Sequence, residues 1–186
     1  MQSALDQASK RLPFPLHGID PDNGGEFINW GLLRWCAERK IDFTRGRPYQ
    51  KNDNAHVEQK NWTHVRKVMG YDRIEEDRLV NLMNDLYRNE LRLYMNFFRP
   101  TMKLVDKKRV GRHEEKIKRV YDISKTPYQR VLDCPEVSAE AKEKLRRIYA
   151  GLNPAHLRRT IISKVKYLRN EILCASRAKK EKLKGR

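Results

Sequence analysis

"GIDPDNGGEFIN", residues Gly18 to Asn29, is the stretch whose reading decides the fold. Asn and Gly tolerate positive φ, and Asp hydrogen-bonds its own backbone, so Asp20 to Gly25 predicts a tight turn. The preceding "PLHGI" predicts a short strand that ends at this turn. The following "EFINWGLLRWCAERK" sets Phe27, Trp30, Leu33 and Ala37 on one face at helical spacing. "IDFTR", beginning at Ile41, is β-branched and aromatic and reads as the next strand. Strand, helix and strand in this order predict a parallel crossover, since a tight hairpin joins only antiparallel strands.

Working outward, "SALDQASKRL" before the strand has helical spacing and is broken by Pro13 and Pro15. Beyond the second strand, "GRPYQKNDN" is a polar loop. "AHVEQKNWTHVRKVMG" is a helix with Val57, Val65 and Val68 inward, stopped by Gly70. "EEDRLVNLMNDLYRNELRLYMNFF" is the strongest helical signal: acids open it, Leu79, Leu86, Leu93 and Phe97 share a side, and Pro100 ends it. Residues 101–135 lack periodicity and read as an extended basic connector. A helix follows from Ser138 to Gly151, and Asn153-Pro154 starts another with Leu157, Ile161, Val165, Leu168 and Ile172 in one stripe. The end of the chain reads as a frayed basic tail. The expected organisation is thus a partial α/β unit over 1–72, a helix and connector over 73–135, a helical pair over 136–175, and a tail over 176–186.

Composition narrows the function classes. No apolar run approaches the roughly 18 residues that cross a bilayer, so no membrane role is expected. The opening residues lack the charged flank and apolar stretch of a secretory leader. Cys36, Cys134 and Cys174 are odd in number and far apart, which suits reduced thiols and a cytoplasmic protein better than a disulfide or zinc framework. The net charge of +17 is concentrated: residues 1–98 carry +1, residues 99–130 carry +7, and residues 158–186 carry +9. Concentrated positive charge favours a polyanionic partner, because each neutralised phosphate releases condensed counterion.

Two carboxylates then stand out in the least basic part of the chain. Asp22 follows a parallel strand's C-terminal end, where open α/β sheets bind ligands. Asp20 is a second candidate that spacing leaves open, and either residue also serves as a turn former. Glu58 lies in the first turn of its helix, where a carboxylate complements the macrodipole. Thirty-five residues separate Asp22 from Glu58.

Asp-Asn-Gly after a strand, a helix, "RPY", and then "NDNAHVEQKN" with its Glu at that separation resembles the catalytic core of DDE-type transposases and retroviral integrases. The downstream "YDRIEEDRLVNLMNDLYRNELRLYMNFFRPTMKL" and "KTPYQRVL" are similar to the C-terminal part of bacterial insertion-sequence transposases, and the likeness covers roughly residues 10–160. The resemblance implies a ribonuclease-H-like α/β fold followed by a mainly helical C-terminal region. It matches Asp22 to the family's second acidic residue and Glu58 to the third. The implied chemistry is phosphodiester cleavage and strand transfer on transposon ends and target DNA, with Mg2+ (or Mn2+) held by carboxylate oxygen. Lys60, Arg66 and Lys67 would bind phosphates near the ends, and Lys103, Lys107, Lys108 and Arg109 would extend that track.

No position matches the family's first Asp, since Asp6 falls in a helical pattern and not a strand. The resemblance therefore implies an N-terminally truncated core lacking its first strands, inactive alone, and marginal in stability because parallel strands are normally covered on both faces. The basic blocks and the amphipathic stretch over 154–173 suggest an alternative role: binding DNA, or poisoning oligomers of a full-length transposase and so regulating it.

Overall fold

The computed structural model describes residues 2–21, 24, 25, 27, 29–47, 51–110 and 116–184. It is a mixed α/β structure, about 61% helical. The chain divides into two units, Met1–Asp72 and Arg73–Arg186.

The first unit runs α1 (Gln2–Ser9), β1 (Gly18–Ile19), α2 (Trp30–Glu38), β2 (Asp42–Phe43), a 3-10 turn (Lys51–Asn54), α3 (Ala55–Lys60), a π-helical segment (Asn61–Arg66) and α4 (Lys67–Met69). The expected parallel crossover is present: β1 pairs with β2 in parallel, Gly18 opposite Asp42 and Ile19 opposite Phe43. Asn29 caps α2, its side-chain oxygen accepting from the Leu32 N–H at 2.8 Å. The helix ends in a Schellman turn, with Ile41 N donating to Cys36 O at 2.9 Å and Lys40 N to Ala37 O at 3.2 Å. Lys40 takes the left-handed position (φ 54°) that such a turn usually gives to glycine.

Of the four residues that share a periodic face, Phe27 precedes α2 and packs on the core, while α2 itself buries a different set. Leu32, Trp35 and Cys36 are buried, whereas Trp30 is 84% exposed and Leu33 and Ala37 face solvent. The two sets are equally helical in spacing, and packing partners decide between them. Leu32, Trp35, Cys36 and Ile41 form the core, covered by Leu5, Leu16, Ile19, Phe27 and Phe43. Trp35 also has a polar reason to turn inward: its Nε1–H donates to Asp6 Oδ1 at 3.1 Å, which ties α1 to α2. Arg39 lies 4.6 Å over the same indole. Likewise Met69 is the buried residue near the end of the 55–69 helical run, and Val65 is exposed.

The second unit begins with the long helix that the sequence predicts, formed as α5 (Asp77–Leu86), a π-helical segment (Tyr87–Leu91) and α6 (Arg92–Phe98). Residues 101–135 are not an extended connector. They form an antiparallel hairpin, β3 (Leu104–Val110) with β4 (Lys116–Tyr121), followed by α7 (Pro127–Asp133). The alternation that marks a half-buried strand is missing because neither face of this hairpin is covered, and every β3 residue is exposed. Thr126 and Gln129 close a reciprocal capping box on α7, at 3.1 and 2.8 Å. Ser138 caps α8 (Ala139–Ala150), and Asn153 Oδ1 accepts from His156 N at 3.0 Å at the start of α9. α9 runs from Pro154 to Lys184, so its helical backbone continues through most of the segment read as a frayed tail.

The apolar stripe of α9 is as the sequence predicts: Leu157, Leu168 and Ile172 are buried, and α9 packs on α5, the π-helical segment and α6. Lys164 bridges two carboxylates, Asp85 at 2.7 Å and Glu90 at 2.8 Å, while Arg78 pairs with Glu171. Phe97, Tyr128 and Tyr149 join α6, α7 and α8 through ring contacts at 5.0 Å (Phe97–Tyr128) and 4.8 Å (Tyr128–Tyr149). Among the described residues no helix is long and apolar enough to cross a membrane.

Candidate functional site

The carboxyl ends of β1 and β2 form a small, well-defined rim. Thr44, just past β2, donates its backbone N–H to Ile19 O at 3.0 Å, continuing the ladder. Its Oγ1 also donates to Asp20 Oδ1 at 3.0 Å. Asp20 is exposed, so one carboxylate of the turn is fixed at the strand ends while remaining open to solvent. Asp22, the residue matched by the resemblance, lies outside the described residues.

Between this rim and α3, Arg47 and Asp53 are paired. The Arg47 guanidinium donates to both oxygens of Asp53 at 2.9 and 3.1 Å, and the Arg47 backbone N–H adds a third bond at 3.0 Å. Such bidentate, charge-assisted pairing fixes geometry as well as charge. The Arg47 hydrogen bonds hold the Asp53 carboxyl down to about 2, so the clamp stays ionised across the physiological range. The sequence reading passed over this pair. Its only signal was an Arg six residues before an Asp in a loop otherwise rich in turn formers.

α3 follows, with Glu58 in its first turn. Glu58 is exposed and its backbone carbonyl accepts from the Asn61 N–H, while its carboxylate makes no ion pair among the described residues. It is therefore open to an external cation. Lys60, on the same helix, and Lys67, in α4, are both exposed. Arg66 is half-buried, with its guanidinium 4.9 Å over the Tyr71 ring. The π-helical segment Asn61–Arg66 inserts its wider turn between Glu58 and Arg66, which rotates the basic residues relative to an unbroken α-helix. Thr63 returns its hydroxyl to Gln59 O at 2.9 Å within this segment.

Asp20 and Glu58 thus belong to one unit and are both solvent-accessible. Among the described residues no three His, Cys, Asp or Glu side chains are grouped as a metal site. The hard oxygen donors are of the right kind for Mg2+, but the described set falls short of the three-carboxylate cradle that the resemblance implies.

The remaining DNA-binding candidates lie in the second unit. Lys107, Lys108 and Arg109 are exposed on β3, and Lys103 immediately precedes it. Lys118 and Arg119 on β4, in the same basic stretch 101–119, face Lys108 and Lys107 across the ladder. The base of this hairpin is held by a hydrogen-bond network. Arg130 of α7 grips Asp122 at 2.6 and 3.2 Å and the Thr101 carbonyl at 2.7 Å, while Asp122 also accepts from the Lys103 N–H at 2.6 Å. The Arg130 hydrogen bond lowers the Asp122 pKa, and the backbone bond from Lys103 adds to it.

No family model matches this chain, and no solved structure matches it. A protein of Sinorhizobium fredii (strain NBRC 101917 / NGR234), described as uncharacterized protein y4rM, is 43% identical over 109 residues. The match covers 59% of this chain and 31% of the relative, so the chain spans under a third of the length of the curated protein it resembles.

Proposed function

We propose that this chain is part of a DDE-type transposase or integrase, with a partial ribonuclease-H-like core over residues 1–72 and DNA as its substrate. The observation that carries the reading is the thirty-five-residue spacing of Asp22 and Glu58 in the sequence, together with a parallel strand–helix–strand unit ahead of the helix whose first turn holds Glu58. The basic residues after Glu58 and on the hairpin support a phosphate-rich partner, because such contacts position a duplex without reading its sequence.

Asp22 and Glu58 are the side chains that would hold Mg2+ or Mn2+. Bound there, two such ions supply charge stabilisation for the attacking and leaving oxygens of an in-line displacement. The protein's own contribution is placement. The Arg47–Asp53 clamp lies just ahead of α3, and the Thr44–Asp20 bond holds Asp20 at the strand ends. These 186 residues offer two carboxylates matched to the family, whereas its chemistry uses three. A polypeptide of this sequence alone is expected to bind DNA and not to cleave it, since electrostatic stabilisation is usually the largest catalytic effect.

The test is a nicking and binding assay on transposon-end DNA with Mg2+ or Mn2+, with Glu58→Ala as control. Salt-dependent binding without nicking is expected. Robust Glu58-dependent nicking overturns the inactivity, and an absence of DNA binding at low salt overturns the DNA reading itself.

A further inference from the structure

We propose that the β3–β4 hairpin is a ribbon that enters the major groove of B-form DNA edge-on and holds the phosphates of both strands, one with each face. The inference rests on the DNA reading above and assigns the element and residues that grip the duplex.

Three features of the ribbon carry it. First, β3 and β4 contain six Lys or Arg and one Asp. Second, the register sets Lys107 opposite Arg119 and Lys108 opposite Lys118. Cross-strand partners share a face and successive residues alternate faces, so each face carries one directly opposed like-charge pair. Like charges in that position destabilise a hairpin, and Asp106, 4.0 Å from Lys108, offsets only one of the four. Third, the ribbon stands uncovered. All of β3 is exposed, and on β4 Ile117, Lys118, Arg119 and Tyr121 are exposed as well. A two-stranded hairpin is marginal in water without a covering layer, yet this one is clamped firmly at its base by Arg130 and Asp122.

A repulsive, exposed and firmly based ribbon is stabilised by an anionic partner. Charge on both faces selects among such partners. A membrane or a flat acidic surface meets one face and leaves the other pair in repulsion. A groove with a phosphate wall on each side meets both. A strand layer with its side chains is about 10 Å thick, and the B-DNA major groove is about 12 Å wide, so the ribbon fits on edge. The A-form RNA major groove is too narrow to admit it.

The experiment uses the full chain with a short B-form duplex, and reads both the slope of log Kobs against log salt and hydrogen exchange of the hairpin amides. The variants are Lys107→Gln/Arg119→Gln and Lys108→Gln/Lys118→Gln. Each pair of substitutions is expected to lower the slope's magnitude by about 1.8, at about 0.9 per phosphate contact. In the free protein the same variants exchange more slowly, because the cross-strand repulsion is gone; a merely structural role for these lysines predicts faster exchange. A slope that changes with only one pair overturns the two-faced grip. Unchanged slopes in both variants, with DNA still bound, overturn the ribbon and leave the DNA reading standing. A parent chain with no salt slope overturns both. Equal affinity for an RNA duplex overturns insertion into the groove.

Discussion

Leu32→Ala is expected to unfold the first unit or bring it to the edge of unfolding. Leu32 has no solvent exposure and sits at the centre of a core whose other buried members are Trp35, Cys36 and Ile41. Truncating a buried leucine costs about 2–5 kcal/mol, combining the lost transfer free energy with the cavity left behind. A 72-residue unit with ordinary stability per residue has roughly 4–11 kcal/mol in total. This unit lies toward the low end, because its parallel sheet is two residues long in each strand. A thermal melt followed by near-ultraviolet dichroism, in which buried Trp35 dominates, is expected to shift down by at least about 8 °C. A shift under about 2 °C would mean that Leu32 is not the centre of this core. The control is Trp30→Ala, which removes a larger side chain from an exposed site and is expected to stay within about 0.5 kcal/mol of the parent.

Phe97→Ala is expected to be the most damaging single change in the second unit, at about 3–5 kcal/mol. Its ring is buried against Tyr128 of α7 and Tyr149 of α8, which also stack on each other. Removing it leaves a void at the junction of α6, α7 and α8 and removes one ring partner from each tyrosine. α7 in turn carries Arg130, which holds the base of the hairpin through Asp122 and Thr101. Loss of the Phe97 contact should therefore raise hydrogen exchange in α7 and then at Asp122 and Lys103, while the α5–α9 packing around Leu86 and Leu168 persists. Uniform loss of protection across α5 and α9 would show that the aromatic junction and the helical layer are one cooperative block.

How much of this was legible in the sequence depends on how each element is stabilised. The parallel crossover and the α9 stripe were readable because each depends on a local pattern: turn formers around Asp22, β-branched residues at Ile41, and apolar residues recurring from Leu157 to Ile172. The buried face of α2 was not legible because its two apolar faces are equally periodic. The choice between them is made by non-local partners, chiefly Asp6 receiving the Trp35 indole N–H. The hairpin was missed for a related reason. Strands are read from alternation, alternation reflects one buried face, and β3 has none. At the candidate site, Glu58 and the basic residues were legible as residue types. The Arg47–Asp53 clamp and the Thr44–Asp20 bond were not, since loop pairs six and twenty-four residues apart leave no periodic trace.

The central claim is that Asp22 and Glu58 together hold a divalent cation, and the most direct test is paramagnetic broadening of backbone amides by substoichiometric Mn2+ in the full chain. The account predicts simultaneous broadening at the end of β1 and in the first turn of α3, abolished by Glu58→Gln and by Asp22→Asn. Broadening confined to one of the two segments, or unchanged by Glu58→Gln, would contradict it.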